Sequence, residues 1–424
     1  MRFVSTRAST HARGVSLATA LLDGLAPDGG LYMPERIERW SREQLDQAGR
    51  SSLHEIAVRV LHPFTSDDLD EATLASVLRD ALTFPVPLVE VEPGTCALEL
   101  HHGPTLAFKD FGARVMARMM AALHDGGAPM TVLVATSGDT GSAVAHAFHA
   151  VPHTRVVILY PEGRVSPTQE AQLTRFNDGP STVRAFAIPG TFDDCQRLVK
   201  AAFGDLKLRQ RVRLTTANSI NIGRLLSQMV YFWIARGAAL VSVPSGNFGN
   251  LTAGLMARHA GALIDRFVAA TNVNDVVPIY LSTGRFEPRP PISTLANAMD
   301  VGHPSNFERM KWLYGDNAEA MRRDVLGSRH TDVEIRTTIR RVYEGHGYLL
   351  DPHSAIAYLG IKSARRPTNI FLATAHPAKF AEIVEPIIGR AVEMPARLAE
   401  ALARPPRVMK MPATSDALRE ILVG

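Results

Sequence analysis

Cysteine is nearly absent. Only Cys96 and Cys195 occur in 424 residues, far apart in the chain. That excludes a zinc pattern or a disulfide framework and suits a reducing compartment, so a cytoplasmic protein is expected. Long basic runs are missing as well. The net charge of +4 is diffuse and carries no basic–aromatic interleaving, which argues against nucleic acid as a partner. The most apolar long stretch, 229–243, is interrupted by Arg236 and Gly237, so no membrane span is expected. The start, MRFVSTRASTHARG, is rich in Arg and Ser and free of acids, in the manner of a transit peptide. Its continuation VSLATALL is short and ends at Asp23, so an ordinary structured start is expected. Lysine is scarce too: 7 of the 46 basic residues are lysine and 39 are arginine.

What is present reads as a soluble globular chain, 46% hydrophobic and 21% charged, long enough for two or three domains with sizeable cores. Residues 1–90 read as mostly helical, with turns at APDGG and LHPF. From about residue 130 short β-branched runs alternate with helical stretches. TVLVA, TRVVILY, STVRAFAI, VRLTTA, ALVSVP and RFVAAT are the strand candidates, and NIFLAT recurs late. This alternation predicts an α/β fold with open parallel sheets wound by crossover helices. The segment STGRFEPRPP reads as an exposed loop. We expect three parts: a helical 1–90, a small α/β part over 91–210 and a larger one over 211–424.

Two loops stand at strand-to-helix turns, where α/β folds bind ligands. One is ATSGDTGSA, 135–143, and the other PSGNFGNLTAG, 244–254. Both put small residues before a helix, so free N–H groups can hold an anion. Gly and Asn are also simple turn formers. Neither loop is a Walker A motif, and neither has the spaced glycines of a dinucleotide fingerprint. Histidine is frequent, 15 in all, but HExxH is absent. His146 and His149 lack acidic or thiol partners at metal spacing and read as packing or surface residues, so no metal is expected. Lys109 sits in HHGPTLAFKDFG, an apolar run bordered by glycine. In isolation it reads as a lysine with its stem packed and its head in water. The alternative is a desolvated amine that attacks a carbonyl, a task arginine cannot perform. An amine, an anion loop and a second Ser/Thr-Gly loop together suit pyridoxal phosphate.

HGPTLAFKDFG, ATSGDTGSAVAHAF, SVPSGNFGNLTAG, AATNVND, NAMDVGHPSN and ATAHPAKF, taken in this order, resemble the threonine synthase family of fold type II, tryptophan synthase β-like, pyridoxal-phosphate enzymes. The resemblance runs from GLAPDGGLYMPE to ATAHPAKF. It implies that Lys109 holds the cofactor aldehyde and moves protons. Gly246, Asn247, Phe248, Gly249 and Asn250 would cradle the cofactor phosphate, and Thr374 would hydrogen-bond the pyridine nitrogen. Thr136, Ser137, Asp139 and Thr140 would hold the substrate carboxylate or the cofactor face. The family reaction converts O-phospho-L-homoserine and water into L-threonine and phosphate. For the leaving phosphate the candidates are Ser219, Asn221 and Arg224 in NSINIGR and Arg164 and Ser166 in PEGRVS. Each has a plain alternative, because Asn and Ser cap helices and Arg is the usual surface cation of this chain.

Departures from the family pattern are Ala8 with the ASTHARG start, Asn250 where relatives often carry Asp, and His303 where they often carry Asn. A serine/threonine dehydratase of the same fold is the enzyme alternative. Dehydratases tend to a run of glycines at the phosphate loop, where this chain has SGNFGN. A catalytically silent relative is a further alternative, against which Lys109 stands. By analogy the protein is a monomer or homodimer acting on a small molecule.

Overall fold

The structure, a computed structural model, describes all residues except 9–12, 49–50, 178–180, 365 and 404–406. Most of the divergent stretch after Ala8 therefore lies outside the described residues. Among the described residues the strands form three sheets. Phe3–Ser5 pairs antiparallel with Tyr32–Pro34. A six-stranded sheet runs in the order Val325–Arg329, Arg266–Thr271, Leu240–Pro244, Asn369–Ala373, Thr95–Glu99, Leu88–Glu92. Its first five strands are mutually parallel and the last is antiparallel. A five-stranded parallel sheet runs Met409–Lys410, Val183–Ile188, Thr154–Pro161, Met130–Ala135, Arg213–Thr215.

The α/β expectation holds, and so do its strand candidates. Their near-continuous apolar runs have a physical cause: parallel strands are covered on both faces. Alternate residues go to different cores. Val132 and Val134 join the main core, while Leu133 and Ala135 pack on the other face. In the other sheet Val241 and Val243 face the main core, and Leu240 faces the opposite layer. Each such Val or Leu side chain contributes about 1.5–3 kcal/mol on burial. The stretch 229–243 splits between the helix Ile222–Phe232 and the strand Leu240–Pro244. No helix among the described residues is long and apolar enough to cross a membrane.

The first 90 residues hold the helices Leu17–Asp23, Arg42–Ala48, Leu53–Thr65 and Glu71–Ala81. They pack into the main core rather than forming one of their own; Trp40 stacks on Trp233 with ring centroids 3.8 Å apart. The sheets cut the chain differently from the expected segments. Thr95–Glu99, expected in the middle part, pairs with Asn369–Ala373 of the last part. Met409–Lys410 returns to pair with Val183–Ile188 of the middle part. The chain next to Lys109 meets strand ends from both sheets: Phe108 bonds to Thr374, after Asn369–Ala373, and Lys109 pairs with Asp139, four residues after Met130–Ala135.

Candidate active site

Lys109 is the first residue of the helix Lys109–Ala122. The chain enters it through Leu106, whose φ is 57°, and through Phe108, whose N–H donates to Thr374 O at 2.8 Å. Thr374 directly follows the strand Asn369–Ala373, so the lysine and this threonine are tied by backbone. Lys109 Nζ lies 3.7 Å from Asp139 Oδ2. Burial pushes its pKa below the ordinary lysine value; Asp139 opposes this, while Lys379 and Arg224 add to the lowering.

Asp139 opens the helix Asp139–Phe148. Burial alone would raise its pKa, but Lys379 and Lys109 hold it below the usual carboxylate range. Its Oδ1 pairs with Lys379 Nζ at 2.8 Å and accepts from Gln169 Nε2 at 3.1 Å. Lys379 is fully buried and also donates to Thr105 O at 2.9 Å. Of the two roles expected for Asp139, a buried carboxylate engaged with Lys379 and Lys109 disfavours the substrate carboxylate and leaves the cofactor face. Thr136 has a structural use within the same loop. Its hydroxyl accepts from Gly138 N at 3.0 Å and Gly141 N at 2.8 Å, so it shapes the loop. Gly138 must be glycine: its φ is 136°, and a Cβ would meet Gln169 Cδ at 2.4 Å. Ser137 and Thr140 are half-buried at the same helix N-terminus.

The second loop follows the strand Leu240–Pro244. A Cβ on Gly246 would meet Met299 Cα at 2.7 Å and Ala298 O at 2.8 Å, so backbone closes on backbone there. Asn247 is spent on shaping the loop: Nδ2 donates to Ser219 Oγ at 2.7 Å, and Oδ1 accepts from Ser305 N at 2.6 Å. Phe248 adopts the left-handed region at φ 61°, which turns the chain into the helix Gly249–His259. No side chain caps that helix. Asn250 Oδ1 accepts from the Tyr231 hydroxyl at 2.5 Å, while its Nδ2 is buried without a partner.

The phosphate candidates separate clearly. Ser166 caps the helix Pro167–Thr174 in a capping box with Gln169. Asn221 caps the helix Ile222–Phe232, and its Nδ2 donates to Leu21 O and Thr216 O. Both are helix caps, the alternative their residue types carried. Arg164 is exposed at a turn, and among the described residues no hydrogen bond or ion pair joins it to the other candidates. Ser219 accepts from Asn247 and, at 3.3 Å, from Asn306 Nδ2. Arg224 is buried beside Gly112 of the lysine helix. Its Nη1 donates to Ala217 O at 2.7 Å, and its Nε has no partner. Burial lowers it to about 10.

Several residues around this site were not singled out from the sequence. Lys379 carried a readable signal, being one of the seven lysines and lying in ATAHPAKF. Asp110, buried and accepting Thr105 N–H and Oγ–H at 2.8 Å each, is pushed up to about 6 by burial. Arg309 donates to Tyr32 O, Ser219 O, Ile220 O and Asn306 Oδ1. His353 Nδ1 sits 2.7 Å from Asp351, and its Nε2 is buried without a partner. His146 and His149 pack against Phe176, as their surroundings predict. His303 is exposed.

The residues fit pyridoxal phosphate. An aldehyde needs a desolvated amine, and Lys109 supplies one. A phosphate dianion needs uncapped helix N–H groups, and no side chain caps the helix Gly249–His259 that the Gly246–Phe248 turn leads into. Asn250 Nδ2 and Arg224 Nε are buried N–H groups without a partner, polar capacity that the protein alone does not use.

The chain matches family models along almost its whole length: threonine synthase N terminus over 2–82, pyridoxal-phosphate dependent enzyme over 82–370, and threonine synthase, C-terminal, over 354–422. It is 42% identical to the threonine synthase of Escherichia coli (strain K12), covering 98% of each chain. Identity is 45% to that of Haemophilus influenzae, covering 91% of each. In structure it is similar to a PLP-bound threonine synthase from Brucella melitensis. The TM-score there is 0.92 and the identity 36%, over 100% of this chain and 99% of the other. These likenesses do not favour the dehydratase alternative. The cofactor is pyridoxal phosphate and the fold is type II. The chain belongs to the threonine synthase family of pyridoxal-phosphate-dependent enzymes.

Proposed function

We propose that the chain converts O-phospho-L-homoserine and water into L-threonine and inorganic phosphate. The observation that carries the reading is the desolvated Lys109 amine, 3.7 Å from Asp139, at the C-terminal edges of two parallel sheets. Similarity to threonine synthases over the full length supports the substrate. Pyridoxal phosphate, when bound, supplies an aldehyde for the substrate amine and a ring that accepts electrons as Cα loses its proton.

The chain's own residues do the rest. Lys109, with its basicity reduced by burial, takes the Cα proton. A second proton leaves Cβ and phosphate leaves Cγ; Cγ is then reprotonated, water adds its hydroxyl at Cβ, and Cα takes back a proton. Lys109 would handle these transfers, since the amine that holds the cofactor aldehyde is the base next to the reacting carbons. The N–H groups of the 246–250 turn would hold the cofactor phosphate, and the Thr374 hydroxyl would meet the ring nitrogen. Ser137 and Thr140, at a helix N-terminus, receive the substrate carboxylate. Arg224, with a buried N–H free, is the best supported of the cations for the leaving phosphate. We place the protein in the cytoplasm, where its unpaired Cys96 and Cys195 suit reducing conditions, as a monomer or homodimer.

The test is phosphate release with product identification, using purified protein, pyridoxal phosphate and O-phospho-L-homoserine, with Lys109→Ala in parallel. Threonine formed only by the wild type supports the reading. Phosphate accompanied by 2-oxobutanoate makes the enzyme a relative that eliminates without adding water. The absence of any turnover removes the substrate assignment.

A further inference from the structure

We propose that Lys379 is a positioning residue: it fixes Asp139 as a counter-ion shared between two lysines, so that Asp139 cannot close a one-to-one ion pair with Lys109. The geometry carries this. Lys379 Nζ lies 2.8 Å from Asp139 Oδ1, whereas Lys109 Nζ lies 3.7 Å from Oδ2. The nearer lysine is fully buried and anchored from behind by Thr105 O at 2.9 Å. Gln169 Nε2 holds the same Oδ1 at 3.1 Å. Asp139 is thus turned toward Lys379 by two contacts, and Lys109 receives only the farther oxygen.

The consequence is chemical. An amine that must attack an aldehyde has to be free of its proton, and a tight buried ion pair would keep the proton on. Every charged group around the pair enters this balance. Lys109 is faced by Asp139, Lys379 and Arg224; Asp139 is faced by Lys379, Lys109 and His353; Lys379 also faces Asp110. Asp139 favours the ammonium form of Lys109, and Lys379 and Arg224 disfavour it. Removing the Lys379 charge leaves Asp139 to Lys109 alone, and the pair then holds its proton more tightly. Removing the Asp139 charge does the opposite.

The inference rests on the reading of Lys109 as the reactive amine, but its test reads the amine itself. The full-length chain, freed of bound aldehyde with hydroxylamine, is labelled with trace acetic anhydride across a pH series, and acetylation of the Lys109 peptide is quantified by mass spectrometry. Lys379→Met is expected to raise the pH of half-maximal labelling and to slow labelling at fixed neutral pH about tenfold. Lys379→Arg is expected to restore most of the rate. Asp139→Asn is expected to shift the midpoint downward, and it serves as the test if Lys379→Met does not fold. A merely structural Lys379 would change thermal stability and leave the midpoint in place, which would overturn the proposal. An unchanged or raised midpoint in Asp139→Asn would overturn it as well. Failure to form threonine would leave both outcomes readable.

Discussion

Phe108 and Thr374 are joined by a backbone hydrogen bond, N–H to O at 2.8 Å. It is one of the two bonds of an antiparallel bridge between Ala107 and Ala375, the other being His376 N–H to Leu106 O at 3.1 Å. It ties the residue before Lys109 to the end of a strand some 265 positions later in the chain. Through it, the amine and the hydroxyl proposed for the ring nitrogen are held at a separation set by the main chain.

If Thr374 supplies that hydroxyl, Thr374→Val keeps the shape and the backbone bond while losing one hydrogen bond to the cofactor. A loss of about two- to tenfold in turnover is expected, in line with about 0.5–1.5 kcal/mol for such a bond, with thermal stability unchanged. Steady-state kinetics beside a melting curve checks it. Equal turnover would take Thr374 out of the site.

Gly246 faces backbone atoms of Met299 and Ala298 that cannot rotate away. Gly246→Ala is therefore expected to push the 297–299 turn and the phosphate loop apart. The cost is about 1–3 kcal/mol of stability, with weaker retention of pyridoxal phosphate on dialysis. Denaturant unfolding and cofactor absorbance after dialysis would measure both.

Arg309 is fully buried and donates to three main-chain carbonyls and to Asn306. Burial lowers its pKa to about 9. Arg309→Met strands Tyr32, Ser219 and Ile220 carbonyls, at about 1–3 kcal/mol for each group left unsatisfied. Lysine lacks the planar fork and is not expected to rescue it. Urea midpoints of the Met and Lys variants decide this; a Lys variant as stable as wild type would refute the fork argument.

Asp110 gives a stability signature in pH. Its carboxyl rises from 3.8 to about 6 because burial disfavours the charge. The folded chain then binds this proton more tightly than the unfolded chain. Below about pH 4 both states are protonated and there is no cost. As pH rises through about 4 to 6 the unfolded state ionises first, and stability falls by on the order of 3 kcal/mol. Asp110→Asn keeps acceptor and donor atoms toward Thr105 and is expected to flatten that limb. Unfolding free energies at several pH values across the window test it; parallel limbs in both proteins would refute it.

Much of the fold was legible because parallel strands buried on both faces leave apolar β-branched runs, and Met130–Ala135, Thr154–Pro161 and Leu240–Pro244 all read that way. Phe3–Ser5 and Val325–Arg329 did not, being short or mixed in composition, and only pairing makes them strands. Ser166 and Asn221 show the converse: the same residue type serves as a helix cap or as a ligand contact, and local sequence does not separate the two uses. Lys109 stood out because arginine fills nearly every other cationic position.

The sequence by itself determined the α/β class, the two small-residue loops at strand ends and the amine among arginines, since periodicity, turn chemistry and residue type are local properties. Only the tertiary structure decided what those groups face. Asp139 is held by a lysine 240 positions away, and a strand at residue 95 pairs with one at 369. Distances and desolvation arise when remote segments close on one another, and it is these that reduce the basicity of Lys109.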